Sequence, residues 1–255
     1  MTLEVSLKVF RHKAGQRPHF DTFRVQVLDT ANVLDAIEAA WAQHDRSLMF
    51  RHACHHASCG SCAVRIDGLE KLPCITPVHD VWRGHGELLI EPLRNFPIVS
   101  DLVVDVDGFF RRMSASRMVI TRTAEAYLPV AAGATDGRTR EARSVAQPEG
   151  VPRVNRFENC IECGICISAC PTMATSEKFM GPAALAGIQR ARLEAPDKAE
   201  SARLLELADG EQGVWRCHSG WECTEACPQG VDPASAIMSL RRDLIRHRIK
   251  QWFGR

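Results

Sequence analysis

Polar and apolar residues alternate from Leu3 to Phe10 and again from Phe20 to Leu28, and the Arg11–His19 stretch between them carries Gly15 and Pro18. Period-two alternation around such a break predicts two paired strands. From Asn32 the period changes: Val33, Ile37, Ala40 and Trp41 fall on one face at helical spacing, with Thr30 as the expected N-cap. A loop from Arg51 to Cys62 follows, then a strand over Ala63–Ile66, a turn at Asp67-Gly68, Cys74 after Pro73, and a short strand over Leu88–Ile90. Beyond about Asp105 the pattern turns helical. Gly108–Arg122 is basic and amphipathic, and Ala183–Glu194 is alanine-rich behind Gly181-Pro182. Asp232-Pro233 opens a last helix, an N-cap with proline at the first helical position, and Ile237, Leu240, Leu244 and Ile249 continue its apolar stripe. Val130–Val151, with Pro148 and Gly150, reads as a flexible linker or insert. The expected class is α+β, with strands packed on one helix over residues 1–105 and a helical domain over 106–255.

Eleven cysteines decide what these elements carry. Cys160, Cys163, Cys166 and Cys170-Pro171 form C-x2-C-x2-C-x3-C-P, and Cys217, Cys223 and Cys227-Pro228 repeat it with Gly220 in place of the second cysteine. This is the bacterial-ferredoxin run, whose fourth cysteine ligates the other cluster. Applied here, Cys160, Cys163, Cys166 and Cys227 hold a [4Fe–4S] cluster. Cys170, Cys217 and Cys223 surround a second cluster with only three thiolates, which reads as [3Fe–4S] because a corner without a thiolate readily loses its iron. Cys54, Cys59, Cys62 and Cys74 have the C-x4-C-x2-C…C spacing of a plant-type [2Fe–2S] centre. Small residues in that loop, Ala57, Ser58, Gly60 and Ser61, leave backbone amides free to turn toward cluster sulfur. The N-terminal half therefore has the arrangement of a β-grasp ferredoxin, and the C-terminal half that of an all-α two-cluster ferredoxin.

Other uses of these cysteines fit less well. A disulfide framework is disfavoured by the odd count, and Met1–Phe10 alternates like a strand instead of forming an apolar leader core. Zinc sites close with four ligands, usually from two C-x2-C pairs, which leaves the triple steps and Cys-Pro endings unexplained. A Rieske centre needs a Cys-x-x-His partner, and three residues after Cys59 stands Cys62; His55 and His56 read as exposed loop residues.

Composition changes this little. Hydrophobic residues make up 45% and charged residues 25%, ordinary globular values, and a net charge of +1 gives no argument for a nucleic-acid partner. No stretch approaches the ~20 apolar residues of a spanning helix.

The constellation resembles the iron–sulfur subunit of succinate dehydrogenase or fumarate reductase. Besides the cysteines, the likeness runs through Pro92-Leu93 to Phe96-Pro97, Asp101–Asp105, Phe109-Phe110, Lys178–Ala183 and Cys227–Pro233. The resemblance implies an electron-transfer subunit of a membrane-bound succinate:quinone oxidoreductase. Electrons would run from a FAD-containing flavoprotein through [2Fe–2S], [4Fe–4S] and [3Fe–4S] to quinone, with no substrate chemistry on this chain. Alternatives are the quinol:fumarate reductase direction, or the iron–sulfur subunit of a soluble reductase. By the same likeness the chain is peripheral, on the cytoplasmic face of the cell membrane and held there by anchor subunits. Pro171 and His218 match quinone-site positions of the family, although His218 also suits a hydrogen bond toward cluster sulfur or a buried helix cap. Ubiquinone-type members carry two tryptophans shortly after the Cys-Pro of the four-cysteine run; here Thr172-Met173-Ala174-Thr175-Ser176 follows Pro171, which favours menaquinone. Between the first two cysteines His55 and Ala57 replace the family's usual Arg and Gly. The basic tail, Arg241, Arg242, Arg246, Arg248, Lys250 and Arg255, suits anionic head groups or the anchor.

Overall fold

The alternating segments pair as expected. In the computed structural model, which describes residues 2–82, 84, 86–116, 157, 159–195 and 197–253, β1 (Thr2–Arg11) and β2 (His19–Leu28) run antiparallel. Val5 faces Val25 and Leu7 faces Phe23, so the apolar halves of both patterns share one buried face. β3 (Val64–Ile66), β4 (Leu69–Lys71) and β5 (Leu88–Glu91) complete a mixed sheet in the order β2-β1-β5-β3-β4, with β1 and β5 parallel. Helix α1 (Val33–Gln43) closes the buried face through Val33, Ala36, Ile37 and Ala40, giving the β-grasp arrangement. A short helix, α2 (Val78–Val81), leads into β5.

The N-cap of α1 is Asn32, not Thr30. The Asp35 carboxylate, three residues on, accepts the Asn32 backbone N–H at 2.8 Å, the reciprocal half of a capping box that Thr30 is misplaced to make. Asn32 also donates its side-chain amide to the Cys74 carbonyl at 2.9 Å, tying the helix start to the fourth N-terminal cysteine. Three short strands carry no period of their own and appear only in the fold: β4, β6 (Ile98–Ser100) and β7 (Val103–Val104). The β6–β7 hairpin turns at buried Asp101, whose carboxylate accepts the backbone N–H groups of His12 and Met49 at 2.9 and 2.8 Å.

The second core is helical. α3 (Asp107–Ala115) contributes Phe109 and Met113, α6 (Pro182–Leu193) is buried along most of its length, and α7 (Lys198–Ala208) adds Leu204 and Leu205. Residues 117–122 of the expected basic helix and the 130–151 linker lie outside the described residues. Short helices also sit inside the cysteine runs, α4 (Ile165–Ser168) in the first and α8 (Glu222–Glu225) in the second, and α5 (Pro171–Thr175) follows the first run directly. The last helix, α9 (Pro233–Phe253), is capped by Asp232, which accepts the Ser235 N–H at 3.0 Å. Ile237, Leu240 and Leu244 are buried, but Ile249 is not: α9 runs past the core, leaving Ile245, Ile249, Trp252 and Phe253 exposed. No helix among the described residues is long and apolar enough to cross a membrane.

A third cluster joins the halves. Leu34, Cys62, Leu72 and Cys74 pack with Leu93, Val104 and Ile165, so the two cysteine regions share a dry seam.

Candidate metal centres

The N-terminal loop is bent to aim amides at sulfur. His55, Ala57 and Gly60 take left-handed backbone at φ 59°, 58° and 67°, a conformation that costs an L-residue with a Cβ about 1–2 kcal/mol. In return the N–H groups of His56, Ser58 and Cys59 all point at the Cys54 sulfur, at 3.5, 3.2 and 3.4 Å. These hydrogen bonds, the His56 amide first, hold the Cys54 thiol down at about 7. Burial pushes the Cys62 thiol up to about 12, and the neighbouring Cys74 and Cys59 thiols add to it.

The two C-terminal runs share one backbone design. Glu162 and Ser219, each two residues after the first cysteine of its run, have φ 55° and 59°. Gly164 and Trp221, two residues further on, have φ 78° and 71°, and each opens a four-residue helix, α4 or α8. The repeat seen in the cysteines is thus a repeat of conformation.

The chain brings the cysteines of the two runs together crosswise. Cys160, Cys163, Cys166 and Cys227 line one cavity with Phe109, Phe157 and Ala183. Burial raises the Cys160 thiol to about 11, with the Cys227 thiol adding to the rise. Burial likewise takes Cys163 to about 12, and the Cys160 and Cys227 thiols act in the same direction. Cys170, Cys217 and Cys223 form the other group. Burial raises Cys223 to about 12, next to Cys170 and Cys217, and it raises Cys170 beside Cys217. Cys166 links the groups: burial pushes its thiol well above the ordinary range, and Cys163, Cys160, Cys223 and Cys227 all push it further. Buried sulfurs packed this closely repel one another as thiolates, so the donor set suits a cationic iron core.

Polar contacts between the halves fix how the runs sit. Asn95, at φ 64°, donates its side-chain amide to the carbonyls of Ile167, Ser168 and Cys170 at 2.8, 3.1 and 3.1 Å, holding the end of α4. The Gln229 side chain donates to the Ala57 carbonyl at 2.8 Å. The closest approach is at Gly60, where an added Cβ would lie 2.6 Å from Cys163 Cβ and 2.9 Å from its Cα. The first cysteine loop therefore lies directly against the four-cysteine run.

Two families match: a 2Fe-2S iron-sulfur cluster binding domain over residues 6–111 and a 4Fe-4S dicluster domain over residues 156–231. The chain is 34% identical over 241 residues to the fumarate reductase iron-sulfur subunit of Haemophilus influenzae, covering 92% of this chain and 90% of that one. This chain belongs to the iron–sulfur subunits of the succinate dehydrogenase and fumarate reductase family. It is also 34% identical over 251 residues to the fumarate reductase iron-sulfur subunit of Mycobacterium tuberculosis, covering 98% and 95% of the two chains. With the succinate dehydrogenase iron-sulfur subunit of Paracoccus denitrificans it shares 31% over 234 residues, covering 91% and 83%. Its fold superposes on a chain of the Mycobacterium smegmatis Sdh1 complex in the apo form with a TM-score of 0.76, at 25% identity and 98% coverage of both chains.

Pro171 and His218, far apart in sequence, meet at a small surface cavity beside Cys170, Cys217 and Cys223. His218 is exposed, which removes the buried-cap reading. Trp221 lines the same cavity and is 42% exposed. Sequence reasoning looked for aromatic rings after Pro171 and missed this one, whose signal was its place beside Gly220, at the omitted cysteine. Asn95 was missed as well, although an asparagine between Pro92 and Pro97 suits a left-handed turn.

Proposed function

We propose that this iron–sulfur subunit relays single electrons from a FAD-containing flavoprotein subunit to quinone at a membrane anchor, in the succinate-oxidising direction. Cys54, Cys59, Cys62 and Cys74 would hold [2Fe–2S]; Cys160, Cys163, Cys166 and Cys227 would hold [4Fe–4S]; Cys170, Cys217 and Cys223 would hold [3Fe–4S]. The clusters supply the one-electron carriers, and their potentials follow cluster type, charge and hydrogen bonds to sulfur.

The observation that carries the reading is the order of contact. The Gly60 loop touches Cys163, and the Cys166 thiol neighbours both Cys227 and Cys223. A chain of carriers needs each member beside the next, and the order in which these three cysteine groups adjoin supports a two-, four-, three-iron relay.

At the far end, Pro171, His218 and Trp221 form the wall a quinone ring would meet, with menaquinone favoured. The exposed Ile245, Ile249, Trp252 and Phe253 alternate with Arg242, Arg246 and Lys250 on the end of α9, which supports a contact with the anchor or with lipid head groups on the cytoplasmic face. The test is purification of the intact complex from the native membrane. Oxidised protein should hold about nine irons per copy of this chain, the sum of the three clusters, and succinate should reduce naphthoquinone faster than benzoquinone. Stoichiometric zinc with little iron would reject the reading, and fractionation of this chain with membranes in cells lacking every anchor subunit would make the end of α9 an anchor in its own right.

A further inference from the structure

Beside the first cysteine loop, and outside every cysteine group, three ligating atoms converge. Glu38 projects from α1, while His52 and His55 flank Cys54 in the loop. His52 Nδ1 lies 3.1 Å from His55 Nε2, and Glu38 Oε1 lies 3.2 Å from the first and 3.4 Å from the second. All three donor atoms fall within 4.8 Å of one another.

We propose that Glu38, His52 and His55 form a binding site for a divalent transition metal of the zinc class, separate from the cluster ligands. Ligands about 2.0–2.1 Å from a tetrahedral zinc stand roughly 3.3 Å apart, which is the size of this triangle. Hydrogen bonding accounts for it less well. Glu38 Oε1 is shielded from solvent and has no hydrogen-bond partner, although two ring nitrogens lie next to it. The two rings hydrogen-bond to each other and leave that oxygen without a partner, whereas a cation at the centre takes a lone pair from all three at once. The rings are also held in place. His52 stacks on Phe50 at 5.1 Å and 21°, and His55 meets His52 edge-on at 5.2 Å, with left-handed backbone of its own. Glu38 is fixed by α1, whose neighbouring Ile37 is in the core. Both imidazoles are exposed, so a fourth position is open to water, as in zinc sites with three protein ligands.

The bound ion staples the loop carrying Cys54 to α1 and places positive charge beside the first cluster. Net charge is one of the determinants of cluster potential, so metal binding should make that cluster easier to reduce. This second consequence rests on the [2Fe–2S] reading above; the metal site does not.

The experiment uses the purified complex, stripped with a chelator, equilibrated with micromolar Zn²⁺ and freed of excess ion by gel filtration, with zinc and iron measured in the same sample. The expected result is one zinc per copy of this chain at unchanged iron content, with binding weakened at least tenfold in His52→Ala and in Glu38→Gln. The glutamine variant keeps shape and packing, and its iron content reports that the loop is intact. Redox titration of the two-iron signal should give a higher midpoint with Zn²⁺ in the wild type and no change in either variant. The proposal is overturned if the wild type retains no zinc, if both variants retain as much, or if zinc rises only as iron falls. Ligand-dependent zinc binding in a complex without a two-iron signal would uphold the site and reject the cluster reading instead.

Discussion

The Arg241 guanidinium donates to the backbone carbonyl of Cys217, anchoring the depleted cysteine run to α9. It also donates to the Val214 carbonyl at 2.7 and 3.0 Å and to the Ser219 hydroxyl at 2.9 Å, and the Ser219 N–H in turn points at the Cys217 sulfur at 3.4 Å. One side chain of the basic tail is thus part of the frame of the second cysteine run. Arg241→Ala leaves carbonyls unpaired and removes charge-assisted bonds, at a cost of about 2–3 kcal/mol. Arg241→Lys keeps the charge but lacks the fork that reaches three partners at once, and it should recover little. Thermal unfolding and the amplitude of the oxidised three-iron signal measure both, with the two- and four-iron signals as internal references.

Gly60 offers a second test, because two costs can be separated there. Its left-handed backbone penalises any Cβ by about 1–2 kcal/mol, and the Cβ would also run into Cys163 and the Ile161 carbonyl. Gly15 has a similar φ, +81°, with nothing within 4 Å of an added Cβ. Gly15→Ala should therefore show the backbone penalty alone. Gly60→Ala should exceed it and slow reduction of the four-iron centre by succinate, since the first loop must back away from the four-cysteine run. Equal loss of thermal stability in the two variants, with unaltered reduction kinetics, would mean that the contact is soft.

Ala57 carries the reverse prediction. At φ 58° it pays for a conformation that glycine adopts freely, against the larger backbone entropy glycine loses on folding. Ala57→Gly should stabilise the chain by about 0.5–1 kcal/mol, seen as a raised unfolding midpoint with the two-iron spectrum retained.

What the sequence makes legible follows from how local each signal is. Cysteine spacing is a local signal, so the three groups could be proposed before any fold was known, whereas the crosswise meeting of the two C-terminal runs is seen only in the fold. The β1–β2 alternation and the α9 opening at Asp232-Pro233 are equally local. β4, β6 and β7 are three residues or fewer, too short for a period-two alternation to show, although each pairs with a strand next to it in sequence. Thr30 misled because helix-cap chemistry is shared by its neighbour Asn32, and only the partner Asp35 decides between them. Ile249 continues the helical period, yet the core ends at Leu244; periodicity shows which face would be buried, not how far the covering layer extends. Trp221 joins Pro171 at one cavity, and Glu38 meets His52 and His55, only once distant segments come together.

Acid should act on α7 and α9 through Asp209. Its carboxylate accepts Arg248 at 2.7 Å and the Trp215 indole N–H at 2.6 Å. Burial works to raise its pKa, but the Arg248 and Trp215 hydrogen bonds outweigh that and hold it below the ordinary carboxylate value. With the folded pKa depressed, the stabilisation is full above the unfolded value near ~4 and is lost as pH falls through the folded one. Arg248 is 58% exposed, so the pair contributes no more than about 1 kcal/mol. Asp209→Asn should lower the unfolding midpoint at pH 7, and the gap from wild type should close on acidification. A gap independent of pH would assign the loss to packing at the end of α7.

The omitted ligand gives the most direct test of the three-iron reading. Gly220 stands three residues after Cys217 and three before Cys223, where the repeat calls for cysteine, and its backbone is not left-handed. A Cβ there would come within 2.3 and 2.6 Å of the two Glu222 carboxylate oxygens. That is the free end of an exposed, flexible side chain, so the obstacle can swing aside. Gly220→Cys should supply the missing thiolate and favour [4Fe–4S], raising iron from about nine to about ten per chain. The oxidised three-iron signal should disappear, and a reduced four-iron signal should take its place. The extra thiolate adds negative charge and fuller ligation, both of which lower the potential, so quinone reduction should slow several-fold. Flavin on the partner subunit, remote from the change, should be retained. Gly220→Cys combined with Glu222→Ala removes the carboxylate that a new side chain would meet. If the double variant still holds about nine irons and keeps the three-iron signal, a missing thiolate is not what leaves the corner empty. If the wild type, purified anaerobically and then oxidised, shows no three-iron signal, the assignment of Cys170, Cys217 and Cys223 to that cluster falls with it.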